Sequence, residues 1–231
     1  MKILSLLNVC LVLLAISVYG QKKTEPLYTE SFNRQNCHFV SSGVNPYFYL
    51  RPGYQHILQG VENRDTVRVV VTVLNETKKI DDVETRIVEE RESVNGKLVE
   101  VSRNYVAMCK ESGSIFYFGE DVDVYRDTQV VSHSGSWLAE GNNKPGILMP
   151  GMPMLGARYY QEIARDIAMD RAEIISMSDT VVTPVATFTD VLKVLETTPY
   201  EPGSRSYKYY APEVGLVKDG NLVLIKVGLA R

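Results

Sequence analysis

Residues 180–217, TVVTPVATFTDVLKVLETTPYEPGSRSYKYYAPEVGLV, decide the fold class. Three short apolar runs follow one another in this stretch. The first leads to Phe188, the second ends before Pro199, and the third ends at Ala211, before Pro212. Short β-branched and aromatic runs separated by turn residues are typical of neighbouring strands in an antiparallel sheet. The stretch therefore predicts a mainly β protein.

Two further segments strengthen that prediction. Residues 65–74 alternate with period two and carry valines on both faces, which is typical of a central strand. Residues 83–92 and 97–108 flank Asn95 and Gly96, and Asn-Gly is the strongest short signal for a β-hairpin. Asp219 and Gly220 predict a second hairpin turn near the end of the chain.

Three segments show no strand pattern. Residues 75–82 are polar and predict a turn, and residues 141–156 predict a Gly/Pro/Met loop without regular structure. Residues 164–171 combine rough helical spacing with helix-compatible residues, which predicts one short helix. We therefore expect a single curved antiparallel sheet, an open half-barrel, with one short helix.

Length and charge set limits on domain number and on partners. A chain of 231 residues with 45% hydrophobic content can bury one sizeable core, and we expect one β domain over residues 45–231. The formal net charge of -3 gives no basic surface for nucleic acid or an anionic membrane. Neither nucleic acid nor an anionic membrane is therefore expected as a partner.

The N-terminus has the pattern of a secretory signal peptide. Lys2 precedes an apolar run over residues 3–18, and Val18 and Gly20 are small enough for the −3 and −1 positions of a cleavage site. We expect residues 1–20 to be removed after Gly20, which makes the mature protein secreted or periplasmic and not membrane-spanning. Residues 21–44 are polar and irregular, and predict a tether or a strap over the domain.

Cleavage would leave two cysteines, Cys37 and Cys109. An even pair in an oxidising compartment is consistent with a disulfide between the N-terminal segment and the sheet. Two unpaired buried thiols are an equally open alternative, because the sequence does not supply the geometry.

Five motifs occur along the mature chain: NPYFYLRPG at 45–53, YFGED at 117–121, GSW at 135–137, KPGILMP at 144–150 and YYAPEVGLV at 209–217. Together they resemble a family of secreted bacterial proteins that has no assigned activity. The resemblance covers most of the mature chain and implies export, but it implies no reaction and no cofactor. More loosely, the series of strands is similar to the half-barrels of periplasmic lipoprotein carriers.

Two sets of residues are weak candidates for metal sites. Asp121, Asp123 and Asp127 have partial calcium-loop spacing, but the glycine and the final glutamate of such a loop are missing. We interpret them as the solvated face of a strand and keep a weak calcium site as the alternative. Met149 begins a methionine-rich segment whose thioethers could bind Cu(I), although we favour methionines that plug the end of a barrel. No metal and no cofactor is predicted.

Catalytic patterns are weak throughout the sequence. The histidines are isolated from one another, and each is interpreted as a surface or partly buried residue: His38, His56 and His133. The segment after His133 lacks the Gly-x-Ser-x-Gly elbow of a hydrolase. Glu89 and Glu90 lie on a hairpin arm and are interpreted as solvated charges. The sequence favours a non-catalytic protein and leaves a hydrolase with a scattered site as a weaker alternative.

The aromatic composition gives the remaining functional signal. Fourteen tyrosines suit either an amphiphilic pocket or the half-exposed face of a sheet. We expect an amphiphilic or apolar ligand, such as a lipid-like molecule, in the concave face of the sheet, lined by Tyr117, Trp137, Met149 and Tyr209. The alternative is an interaction or structural module that binds a protein of the cell envelope.

Overall fold

The computed structural model describes residues 26–230, so the predicted signal peptide and its cleavage site lie outside the described residues. The described chain is mainly β, as predicted, and the helical segment in residues 26–230 is a single 3-10 turn, Arg34–Asn36. The strands are β1 (Phe39–Val40), β2 (Gly43–Asn45), β3 (Phe48–Leu50), β4 (Tyr54–Glu62), β5 (Asp65–Ile80), β6 (Val83–Val94), β7 (Lys97–Cys109), β8 (Ile115–Arg126), β9 (Gln129–Ser132), β10 (Trp137–Leu138), β11 (Lys144–Met149), β12 (Arg158–Tyr160), β13 (Glu162–Ile163), β14 (Arg171–Val182), β15 (Thr187–Thr197), β16 (Ser206–Ala211), β17 (Gly215–Asp219) and β18 (Leu222–Leu229).

One large antiparallel sheet contains all of these strands except the small hairpin β2–β3. Its order is β12-β14-β15-β16-β17-β18-β4-β5-β6-β7-β8-β11-β13. The two ends of this order, β12 and β13, are separated in the chain only by Gln161. The sheet therefore bends round until its ends meet in one stretch of chain, and it is nearly closed into a barrel-like curve. The predicted curved antiparallel sheet is confirmed, and its curvature goes further than an open half-barrel requires.

The stretch that decided the fold class forms successive neighbours in this sheet. Residues 180–217 run from the end of β14 through β15 and β16 into β17, and each strand pairs antiparallel with the next. The Asn-Gly hairpin is also confirmed, because β6 and β7 pair from Val94 and Lys97 onward. Asn95 and Gly96 adopt φ angles of 50° and 80°, the left-handed region that favours Asn and Gly in tight hairpins.

The short helix predicted over residues 164–171 is wrong. Ala164 and Ala168 exchange two backbone hydrogen bonds, of 2.9 and 2.8 Å, across a tight turn that connects β13 to β14. Asp166 has a φ of 68° at its tip, and a residue in the left-handed region interrupts a right-handed helix. Ala164 is buried and Ala168 half-buried at the two ends of this turn, whereas Ile167 is 48% exposed near its tip, so the rough helical spacing does not mark the buried face of a helix.

Each of two segments for which no strand was predicted also contains a strand. β5 continues to Ile80, so residues 75–82 are not mainly a turn, and the register shifts between Val73 and Thr77 at a bulge. The buried side chain of Arg86 donates a hydrogen bond of 2.7 Å to the Asn75 carbonyl, which satisfies the backbone at this bulge. Likewise, residues 141–156 are not wholly irregular, because they contain β11, which pairs with β8.

The N-terminal segment is fastened across the outside of the sheet. Cys37 and Cys109 form a disulfide, which settles the alternative that the sequence left open. β1 pairs with the end of β7, and Phe39 packs edge-on against both Phe116 and Phe118, with ring centroids 5.2 Å apart in each case. The described part of the N-terminal segment therefore lies across the outer apolar face of β8 and is not wholly irregular, because it contains β1.

Candidate ligand-binding site

The curved sheet encloses a cavity of about 310 Å³. One end of the cavity is apolar and aromatic, with Phe48, Tyr49, Val73 and Val88 among its lining residues. Ligand pockets of proteins start at about this size and combine apolar walls with a few polar groups. The interior of the sheet is therefore the candidate site.

The aromatic end is closed by the hairpin β2–β3. Its buried residue Asn45 donates side-chain hydrogen bonds of 2.9 Å to the Gly113 and Pro150 carbonyls, and its own carbonyl accepts the Tyr47 N–H. The Glu213 N–H donates to the Pro46 carbonyl at 2.8 Å. These bonds tie the hairpin to turns at one end of the sheet, which places Tyr47, Phe48 and Tyr49 against the cavity.

Alternation along the strands decides which polar side chains enter the cavity. On β6, Val88 and Glu90 line the cavity, and on β7, Asn104 and Ser102 lie directly opposite them. Because successive side chains of a strand point to opposite faces, Glu89 lies on the outer face, where it pairs with arginines. The interpretation of Glu90 as a solvated charge is therefore wrong.

Carboxyl groups dominate the other end of the cavity. Among the described residues, one lysine, Lys208, stands against seven carboxylic acids in the lining. Several of these acids lie near the turns at 63–64, 95–96, 198–205 and 220–221, which mark the end of the sheet opposite the hairpin β2–β3. The acids are Glu90, Glu100, Glu120, Glu162, Asp170, Glu196 and Asp219.

Enclosure by the sheet changes the titration of these acids. Burial raises the pKa of Glu90 to about 7, with Lys208 opposing the rise and Asp219 and Glu100 adding to it. Burial also raises the pKa of Glu120 to about 7. A buried carboxyl among other carboxyls favours its neutral form, so both groups hold a proton for much of the time near neutral pH.

Lys208 is already engaged by its neighbours. Its ammonium group lies 2.9 Å from Glu196 Oε2. Burial opposes the charge on Lys208, but Glu196, Asp219 and Glu90 together raise its pKa well above the ordinary value. The lysine therefore remains charged and neutralises part of the acidic end.

Glu162 is the most enclosed of the acids. Its residue is 5% exposed, and its Oε2 atom has no hydrogen-bond partner. Burial raises the pKa of Glu162 to about 8, and the charges of Asp170 and Glu120 add to the rise. The nearby Trp137 indole acts as a hydrogen-bond donor to the carboxyl and opposes this rise in pKa. Like Glu162 Oε2, however, the buried Trp137 Nε1 has no partner of normal hydrogen-bond geometry.

The structure brings together two of the four residues predicted to line the site. Tyr117 lines the cavity and donates a hydrogen bond of 2.5 Å to Asn104 Oδ1, while Trp137 packs edge-on behind Tyr117. Met149 is 1% exposed and belongs to the main apolar core outside the lining. Tyr209 faces away from the cavity, between Lys193 and Lys218, and its neighbour Tyr210 lines the cavity in its place.

The candidate metal residues lie elsewhere. Asp121 contacts Lys78 at 3.0 Å and Asp123 contacts Arg103 at 2.9 Å on the outer face of β8, while Asp127 sits in the turn after that strand. Across the part of the chain that the structure describes, these aspartates form no group of three with metal-ligand spacing. Asp121 and Asp123 lie on the outer strand face that the sequence favoured, each paired with a cation, whereas Asp127 lies beyond the strand.

The methionines do not converge either. Met149 is buried, whereas Met152 and Met154 are 80% and 63% exposed on the following loop. The prediction that the methionines plug the end of the barrel is therefore wrong for Met152 and Met154. His56 does face the cavity, where its Nε2 lies 2.9 Å from the Val214 carbonyl, and burial lowers its pKa.

The sequence interpretation missed the acids of the lining and the aromatic hairpin. The alternation Val88, Glu90 on β6 and Asn104, Ser102, Glu100 on β7 was the available signal, because it places residues of one parity on one face. The signal does not say which face is concave. That is decided by strands that are distant in sequence.

Fold and site together define a nearly closed antiparallel sheet with an internal cavity that is aromatic at one end and acidic at the other. Comparison of the chain with family models, curated proteins and solved structures finds no match. The resemblance to secreted bacterial proteins therefore stays a prediction. Within residues 26–230, no helix has the length and hydropathy needed to cross a membrane.

Proposed function

We propose that the protein is an exported, non-catalytic binding domain that holds a small amphiphile inside the curved sheet. The observation that carries this proposal is the polarity of the cavity, which has aromatic and valine side chains at one end and hydrogen-bonding and charged groups at the other. A ligand with an apolar part and a polar head matches both ends, whereas a purely apolar ligand would leave the buried polar groups unpaired. Export is consistent with the disulfide between Cys37 and Cys109.

The first experiment identifies a ligand that the protein carries from its own host. The mature protein is purified without detergent, and an organic extract is analysed by mass spectrometry. A stoichiometric amphiphile supports the proposal. An empty extract from folded protein, together with no binding in the titration below, refutes it and favours the alternative of an interaction module of the cell envelope.

The second experiment tests the location of binding with prodan, an uncharged fluorescent amphiphile. Val71 lines the cavity, and Val70 precedes it on the same strand with its side chain on the opposite face. We expect Val71→Phe to fill the site and weaken prodan binding by about tenfold or more, since overpacking excludes the probe. Val70→Phe is the matched control and should bind like the wild type. Equal binding by both variants, with folding checked by thermal melting, would place prodan outside the cavity.

A further inference from the structure

The acidic end of the cavity contains far more negative than positive groups. Seven carboxyls face one lysine among the described lining residues, and His56, with its lowered pKa, adds no charge near neutral pH. Enclosed charges of one sign are unfavourable unless an opposite charge or a proton compensates them. The composition of this end therefore favours a positively charged guest over a neutral or negative one.

An anionic head group finds no free cationic partner among the described lining residues. Lys208 already contacts Glu196 at 2.9 Å, and Asp219 and Glu90 also act on its charge. A carboxylate or phosphate would have to compete with these acids for a single ammonium group while approaching the remaining carboxyls. The like charges make that arrangement unfavourable.

Glu162 gives an independent indication of a hydrogen-bond donor. It lines the cavity and is 5% exposed. The Trp137 indole and the Asp170 backbone act on this carboxyl as hydrogen-bond donors, but its Oε2 atom has no partner of normal hydrogen-bond geometry. Buried polar atoms nearly always have partners, and a missing partner in a binding cavity is the place for a donor from the ligand. An ammonium group supplies up to three such donors and a positive charge.

The spacing of the acids favours an organic cation over a metal ion. In residues 26–230 the single group of three metal-type ligands within 4.8 Å is Cys37, Cys109 and Glu111, and its two sulfurs are joined in the disulfide. The cavity carboxyls do not meet that spacing, and a divalent cation needs several close oxygens at once. An amine with an aromatic or aliphatic body can instead use separate carboxyls and the aromatic end together.

We propose that the amphiphile bound by this domain carries a protonated amine, which is seated among Glu90, Glu120 and Glu162 while its apolar part lies toward the hairpin β2–β3. This inference rests on the proposed function, because it names the chemical class of the ligand for the same cavity. At the aromatic end of the cavity, Tyr47, Phe48 and Tyr49 would contact the apolar part of the ligand.

The test uses three indole compounds that share one body and differ in the charge of the head: tryptamine, tryptophol and indoleacetate. Each compound is tested for displacement of prodan from the full mature protein at about pH 8, where the carboxyls of Glu90 and Glu120 are mostly ionised. We expect tryptamine to compete about tenfold better than tryptophol, because a charge-assisted hydrogen bond exceeds a neutral one by about that factor in binding constant. Indoleacetate should not displace the probe.

Three outcomes distinguish failure of the cation inference from failure of the proposed function. If prodan binds but tryptophol competes as well as tryptamine, or none of the three competes, the cation inference is wrong and amphiphile binding stands. If prodan does not bind and the organic extract is empty, the proposed function itself is wrong. A preference for indoleacetate would reverse the sign of the site and also overturn the inference.

Variants locate the head group. At about pH 8, where Glu90 is mostly ionised and Glu162 about half ionised, Glu162→Gln and Glu90→Gln should each weaken tryptamine binding about fivefold or more and leave tryptophol binding nearly unchanged, since each removes a carboxylate without removing the cavity. Glu89→Gln is the matched control, because Glu89 precedes Glu90 on the same strand and pairs with Arg91 and Arg103 outside. An equal loss in Glu89→Gln would show a general charge effect and count against the site.

Discussion

Replacing Glu162 by Gln should stabilise the unliganded protein, and more so at high pH. Burial, with Asp170 and Glu120, raises the pKa of this carboxyl from 4.5 to about 8. An acid with a raised folded-state pKa stabilises the fold below its unfolded pKa, and this contribution is lost as the pH rises through the folded pKa. Between about pH 4.5 and pH 8 the unfolded chain ionises this carboxyl while the folded protein keeps it protonated, so Glu162 destabilises the fold increasingly over that range.

The size of the effect follows from the two pKa values. One pKa unit corresponds to about 1.4 kcal/mol, so the full shift amounts to roughly 5 kcal/mol, of which about 1 is present at pH 5 and about 4 at pH 8. The buried amide of the variant and the coupling to neighbouring acids reduce the gain. We expect Glu162→Gln to raise the free energy of unfolding by about 2–3 kcal/mol more at pH 8 than at pH 5.

The measurement is urea unfolding of the wild type and the variant at both pH values, with intact disulfide and no added amine. Glu140→Gln is the control, because Glu140 lies exposed on the loop after β10. It should change stability by less than about 0.5 kcal/mol at either pH. If Glu162→Gln changes the free energy of unfolding equally at pH 5 and pH 8, the conclusion that Glu162 is enclosed and protonated is refuted.

Three further predictions follow from the described contacts. Replacing Cys37 and Cys109 together by Ser should lower the free energy of unfolding by about 4 kcal/mol, because the disulfide closes a loop with a sequence separation of 72. Urea titrations measure this change, and a loss below about 1 kcal/mol would contradict a structural role of the disulfide. Gly119→Ala should lower stability by about 2 kcal/mol or more in thermal melts, since Gly119 has a φ of 137° and a Cβ there would lie 2.4 Å from the Trp137 carbonyl; Gly141→Ala, with open space around it, should lose less, and equal losses would argue against the clash. Tryptamine affinity should fall about tenfold or more from pH 8 to pH 6 as the raised carboxyls take up protons, while tryptophol affinity stays constant; parallel pH profiles for both compounds would contradict this.

The strand content and the main hairpins could be predicted from the sequence because their signals are local. Alternation over residues 65–74 and the left-handed preference of Asn95 and Gly96 act within a few residues of chain. The missed end of β5 shows where such signals stop. Residues 75–80 look like a turn until the buried Arg86, on the neighbouring strand, satisfies the carbonyl of Asn75 at the bulge.

The candidate site was predicted only in part. Tyr117 could be chosen from its aromatic strand, but Tyr209 and Tyr210 are equivalent as sequence, and the pairing of β16 with β15 and β17 decides that Tyr210 faces inward. The same holds for Glu89 and Glu90. A one-residue change of register would exchange the two faces of the strand and remove the acid from the cavity.

The sequence by itself determined that the chain forms short antiparallel strands, which positions within each strand share a face, and that two cysteines were present to be joined. Tertiary structure alone decided which face is concave and that acids from strands far apart in sequence converge on one end of one cavity. The physical reason is that strand alternation is a local property, whereas curvature depends on the pairing of every strand with its neighbours. The raised pKa values of Glu90, Glu120 and Glu162 have the same origin, because they arise from enclosure by the whole sheet.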